Sequence, residues 1–228
     1  MPGYNKGDTY EDTIFNIAKK NHLLSKESKR AGASNKADLE IIIKNKKIKI
    51  EIKADENADY GQKAIKWTIE KGWFWAKDDD VTKFYNDIKI LETYIEKNFH
   101  PIRWSKKKHL ITQNDKSNDQ RSFEKPNIEI PLETLFNYYE PKNVYYIQLQ
   151  NYGFYHLSKD KFKLGTDQFD GKITLRLRAK SIHNHDPQGN ETPWNYNFYG
   201  VIKMSKKPTV SKFDFEELDG RKFPNFKD

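Results

Sequence analysis

The chain has 228 residues, enough for one domain with a real core or a core plus a small lobe. It has no cysteine, which excludes disulfides, thiolate zinc sites and cysteine nucleophiles. It carries 41 Lys and Arg against 33 Asp and Glu, a net charge of +8 that suits a polyanionic partner, and its 14% aromatic content argues against disorder.

Residues 9–24 read as a helix, with Tyr10, Ile14, Ile17 and Ala18 at helical spacing and Asp8 and Glu11 resembling a capping box. Residues 25–36 form a polar loop with Lys26, Lys29, Arg30 and Lys36, and residues 37–54 read as a β-hairpin. Ile65, Ile69 and Trp73, at spacing four, predict a helix over 60–76. Asp78, Asp79 and Asp80 favour the start of a third helix near 81–98, carried by Val81, Phe84, Tyr85, Ile88, Leu91 and Ile95. Residues 100–127 hold seven Lys and Arg against three Asp and Glu, and read as a long loop or a loop plus strand. A short helix follows near 131–139. Val144–Gln150 and Gly153–Leu157 predict a hairpin through Asn151-Tyr152, and Ile173–Lys180 and Asn197–Met204 predict further strands. No apolar run is long enough to span a bilayer, and Met1-Pro2-Gly3-Tyr4 has no apolar signal core. A cytoplasmic protein with no membrane partner is expected.

The hairpin carries the chemistry. With Asn45-Lys46 as its turn, Lys44 pairs with Lys47, Ile43 with Ile48, Ile41 with Ile50, and Leu39 with Ile52. That face is apolar. The other face places Ile42 with Lys49, Glu40 with Glu51, and Asp38 with Lys53. Like charges facing each other destabilise a sheet, and Lys53 offsets one carboxylate of three. A divalent cation would offset the rest, and hard oxygen ligands suit Mg²⁺. A solvated face of ordinary Glu/Lys pairs is the plainer alternative.

Asp38, twelve further residues and then Glu51-Ile52-Lys53 resemble the PD-(D/E)xK nuclease signature, found in most type II restriction endonucleases. The preceding helix with Glu11, the Ala37-Asp38-Leu39-Glu40 entry, Glu51-Ile52-Lys53-Ala54 and the following Tyr60-Gly61-Gln62 extend the resemblance over roughly residues 8–75. Ala37 stands where the signature has Pro. The resemblance implies an α/β (α+β) restriction-endonuclease-like core, a mixed sheet flanked by helices, with a β-rich C-terminal extension. It implies that Asp38 and Glu51 ligate one or two Mg²⁺ ions per site with the main-chain carbonyl of Ile52. Lys53 would position and help deprotonate the attacking water. Glu11 would hold a second metal or a metal-bound water, or simply cap its helix. Gln62 would orient a ligand or contact phosphate. Glu40 shares the face of Asp38 and is its rival.

Arg is scarce, six against 35 Lys, yet Arg176 and Arg178 alternate with apolar residues in 172–180 and share a strand face with Lys180. Such a face can read guanine edges or grip phosphates. Asn184, Gln188, Asn195 and Asn197 lie in or beside the following loop and could bond adenine. Arg103, Lys106, Lys107, Lys108 and Arg121 form a cationic stretch suited to phosphate. His183-Asn184-His185 carries too few ligands for a zinc or catalytic role. Without repeats or low-complexity linkers, a single domain over 1–228 is expected, with the catalytic core at about 1–100 and recognition elements at about 101–228. The expected function is that of a type II restriction endonuclease: Mg²⁺-dependent hydrolysis of double-stranded DNA at a short site, as a homodimer in a restriction-modification system. A structure-specific or repair nuclease on the same core, or a non-catalytic sequence-specific DNA-binding protein, are the alternatives.

Overall fold

The computed structural model describes residues 6–24, 37–68, 70–95, 112–182 and 195–218. It is a mixed α and β structure with two five-stranded sheets. They organise two compact units that interleave along the chain. Described residues within 1–60, 131–173 and 204–228 form the first, and those within 61–130 and 174–203 the second. The stretch expected as the catalytic core therefore contributes to both units. None of the described helices is long and apolar enough to cross a membrane.

The first unit begins with α1 (Lys6–Lys20), which buries Tyr10, Ile14 and Ala18 along one stripe. Strands β1 (Leu39–Ile43) and β2 (Lys46–Lys53) form the expected hairpin, but its turn is Lys44-Asn45. Both turn residues have positive φ, 49° and 60°, as a type I′ connection requires. The register pairs Leu39 with Ile50 and Ile41 with Ile48, a slip of two residues from the expected one. Two is the period of the pleat, so both faces keep their residues while the partners change. Glu40 now faces Lys49 and forms an ion pair with Lys47 at 3.3 Å. Continued by one residue, this register brings Asp38, not Glu40, opposite Glu51.

On its other edge β2 runs parallel to β6 (Val144–Leu149), with Glu51 beside Ile147 and Lys53 beside Leu149. β6 pairs antiparallel with β7 (Gly153–His156), which pairs parallel with β8 (Asp167–Gln168). The sheet is thus mixed, and β2 lies inside it. At the start of β7 Gly153 has φ 105°, and a Cβ there would strike the Phe213 carbonyl oxygen. Helix α5 (Glu133–Tyr139) enters β6 through a 3₁₀ turn, Glu140–Lys142. α1 packs in the core with Ile50 and Ile52, whereas Tyr139 of α5 reaches Glu51 on the opposite face.

Gln148 on β6 is fully buried and holds the C-terminal segment to this sheet. Its amide donates to Asp214 Oδ1 (2.8 Å) and to the Tyr10 hydroxyl (3.0 Å), and its carbonyl accepts from the Phe215 N–H (3.0 Å). The Tyr10 hydroxyl donates to Glu216 Oε1 at 2.7 Å. Gln148→Leu strands the Phe215 N–H in an apolar site. We expect it to cost about 2–3 kcal/mol, read as a lower urea midpoint at unchanged m-value.

The second unit overturns the helix expected over 60–76. Strands β3 (Gly61–Thr68) and β4 (Gly72–Trp75) form an antiparallel hairpin there. A spacing of four fits period two as well as period 3.6. Ile65 is buried between exposed Ala64 and Lys66, and Gly72 takes φ 65° at the turn. The helix expected over 81–98 is two short ones, α2 (Asp80–Asp87) and α3 (Ile90–Tyr94), broken by Lys89 at φ 52°. Asp79 caps α2 in a box with Thr82, as the acidic run suggested.

The expected loop over 100–127 contains α4 (Gln113–Phe123), capped by Thr112 and Asp115. Its polar sequence gave no apolar period. Phe123 is its buried residue, with ring centroids 5.1 Å from Trp73 and 4.6 Å from Phe198. Strands β5 (Lys125–Ile130), β9 (Lys172–Ile182) and β10 (Asn195–Lys206) complete the second sheet in the order β4-β3-β10-β9-β5.

Candidate active site

Glu51 is the centre of the site. Alternation along β2 turns it away from buried Ile50 and Ile52, onto the face beneath α5. It is 9% exposed. Lys53, two residues on and therefore on the same face, places Nζ 2.5 Å from Glu51 Oε1. The same oxygen lies 2.9 Å from the Tyr139 hydroxyl, which is also 2.5 Å from the Tyr60 carbonyl oxygen. Asp38 enters from the bend before β1, and its Oδ2 accepts the Ile52 N–H at 2.8 Å. The β1 ladder stops at Leu39–Ile50, so this side chain takes the place of a strand partner for Ile52. The N–H and C=O of an extended residue point to the same edge, so the Ile52 carbonyl faces the Asp38 side too.

Burial, and then the neighbouring Glu51, push Asp38 up to about 7, against the pull of Lys53 and the Ile52 N–H. For Lys53 burial alone favours the neutral amine, but Glu51 and Asp38 outweigh it and the ammonium is favoured. Burial and Glu51 hold Tyr139 well above the usual phenol range, so it stays neutral. Glu11, half-buried on α1, raises both Asp38 and Lys53 and is thus within electrostatic reach.

Two carboxylates and one ammonium in a low-dielectric site leave uncompensated negative charge when both acids are ionised. Among the described residues, protein donors engage Oδ2 of Asp38 and Oε1 of Glu51, leaving Oδ1 and Oε2 for a ligand. This set fits Mg²⁺, which is typically held by one or two carboxylates and keeps waters or phosphate oxygens for the remaining positions. No group of three or more His, Asp or Glu among the described residues is arranged to hold a metal. A cation at Asp38 and Glu51 therefore needs such outside ligands.

The structure brings Asp38, Glu51, Ile52 and Lys53 together and separates Glu40, which turns to Lys47. Gln62 belongs to the second unit and is exposed on β3, not on a helix. On β9, Leu175, Leu177 and Ala179 are buried, Arg176 and Arg178 are half-buried and Lys180 is exposed, as alternation suggested. Thr174 departs from that pattern and is buried. Arg176 pairs with Glu124 at 2.6 Å. Asn195 opens β10, Asn197 is exposed on it, and Arg121 is exposed on α4, bonded to Asn118 Oδ1 at 2.8 Å. Asn184, Gln188, Arg103, Lys106, Lys107, Lys108 and the His183-Asn184-His185 tripeptide lie outside the described residues.

Tyr139 is the participant that sequence reasoning passed over, because its place among Leu135 and Phe136 reads as core. Compared with models of known protein families, with curated proteins and with solved structures, the chain matches none.

Proposed function

We propose that the protein is a Mg²⁺-dependent endonuclease that hydrolyses double-stranded DNA at a short specific sequence, a type II restriction endonuclease of the PD-(D/E)xK kind. The observation that carries this reading is the meeting of Asp38, Glu51 and Lys53 at one end of a strand inside a mixed sheet. The net charge of +8 supports a polyanionic substrate. The homodimer, the cytoplasmic location and a restriction-modification context belong to the same proposal, because a two-fold dimer matches a palindromic site.

Bound Mg²⁺ would lower the pKa of a bound water and offset charge on the scissile phosphate. Asp38 and Glu51 would present Oδ1 and Oε2 to it, with the Ile52 carbonyl beside them. The Lys53 ammonium would orient the attacking water and stabilise charge growing on the phosphoryl oxygens. Glu11 would act through water. Arg176, Arg178, Lys180, Asn195 and Asn197 would contact DNA from the second sheet, with Gln62 and Arg121 gripping backbone phosphate.

Plasmid DNA incubated with the protein and Mg²⁺, then run on a gel, tests the reading. Discrete bands are expected. A smear or nicking indicates a structure-specific or repair nuclease, and a gel shift without cleavage indicates a binding protein. In the same assay Asp38→Ala is expected to lose at least about 100-fold in rate and Glu40→Ala less than about 3-fold, the scale for a ligand against a surface ion pair. The reverse order would assign the site to Glu40.

A further inference from the structure

The Tyr139 hydroxyl is a buried group with an unusual set of neighbours. It sits between two acceptors, Glu51 Oε1 at 2.9 Å and the Tyr60 carbonyl oxygen at 2.5 Å. A phenol has one proton to give, and both neighbours want it. The ring is 1% exposed, and Lys142 Nζ stands 5.3 Å from its centroid and 3.6 Å from that of Tyr138. The hydroxyl oxygen thus has little freedom to move. Tyr139 ends α5, while Tyr60 is the last residue of the first unit before the chain enters β3.

We propose that Tyr139 is the positioning residue for Glu51, and this rests on the reading of Asp38 and Glu51 as a Mg²⁺ centre. Lys53 and Tyr139 converge on the same carboxylate oxygen, Oε1. Two donors on one oxygen fix the carboxylate rotamer and its rotation about the last bond. Oε2 is then held in one orientation. Lys53 alone cannot do this, because an ammonium on a flexible four-carbon stem follows the carboxylate wherever it turns. The neutral phenol, fixed by its buried ring at the end of α5, supplies the reference point. Partners of metal-ligating carboxylates commonly tune affinity about 10–100-fold.

The test is Tyr139→Phe, which keeps the ring and removes only the hydroxyl. Ca²⁺ affinity is measured by calorimetry on the full chain without DNA, and cleavage is followed against Mg²⁺ concentration. We expect the Ca²⁺ dissociation constant to rise about 10-fold and the Mg²⁺ for half-maximal cleavage to rise with it, while the rate at saturating Mg²⁺ falls less than about 3-fold. In a Glu51→Gln background, Tyr139→Phe is expected to change Ca²⁺ affinity no further, since the hydroxyl acts through Glu51. Unchanged Ca²⁺ affinity in Tyr139→Phe, or an equal loss in the Glu51→Gln background, overturns the proposal and leaves the nuclease reading standing. Wild-type protein that binds no Ca²⁺ and cuts no DNA overturns both. Should Tyr139→Phe not fold, ring-labelled wild type still decides. The buried hydroxyl proton is expected to exchange slowly and to shift its resonance when Ca²⁺ binds, and an unmoved resonance rejects the role.

Discussion

Asp38→Asn is expected to stabilise the protein in EDTA at pH 8 by about 2–4 kcal/mol while abolishing cleavage. The reason is the cost of ionising Asp38 where it stands. Burial and the adjacent Glu51 raise its pKa from 3.8 to about 7. In the unfolded chain the same carboxyl ionises near its ordinary value. Between those two values the folded state binds a proton that the unfolded state has released, so stability falls as pH rises. The contribution is fully present below about pH 4 and is lost as pH passes through about 7. An amide has nothing to ionise, and its carbonyl can still accept the Ile52 N–H.

Thermal unfolding of wild type in EDTA should therefore decline between about pH 4 and 7 relative to Asp38→Asn, and the two curves should converge at low pH. Mg²⁺ should raise the wild type at pH 8 and leave the variant unmoved, because only the wild type offers an ionised ligand pair. Parallel curves for the two proteins across that range would show that Asp38 is not strained. A carboxylate that destabilises the metal-free fold and is relieved by Mg²⁺ is the pattern expected of a functional site rather than of a structural ion pair.

Much of this was visible along the chain, for a reason particular to strands. Side-chain alternation has a period of two, so Glu51 and Lys53 share a face whatever the register. The wrong turn, Asn45-Lys46 instead of Lys44-Asn45, still left Asp38 on the right face because the slip was by two residues. It did misassign the partner. With Glu40 expected opposite Glu51, the charge conflict was placed one pair away from where it lies. Hydrophobic spacing misled more seriously over 60–76, where Ile65 and Trp73 fit a helix and a hairpin equally well. Tyr139 was hidden altogether. Its approach to Glu51 depends on α5 packing across the face opposite α1, a long-range fact that no local period encodes. The polar helix α4 was lost for the opposite reason, having caps but no apolar stripe.

Lys53→Ala should lose about 10³-fold in cleavage, with duplex binding in Ca²⁺ retained. Lys53 Nζ lies 2.5 Å from Glu51 and is held as an ammonium by Glu51 and Asp38. Its removal strands two buried carboxylates, and breaking such a pair costs about 3–5 kcal/mol. The metal-free variant should accordingly unfold at a lower urea concentration than wild type, and Mg²⁺ should restore more of the loss than it adds to wild type. That restoration separates a damaged site from a damaged fold. Arginine should not rescue cleavage, since a planar guanidinium cannot occupy the volume of a point charge against Oε1. Substantial cleavage by Lys53→Ala would remove Lys53 from the chemistry and leave it as a structural counter-ion. The two substitutions move stability in opposite directions at pH 8 in EDTA, Asp38→Asn upward and Lys53→Ala downward. One common cause accounts for both signs: the site carries more negative charge than the protein alone can compensate.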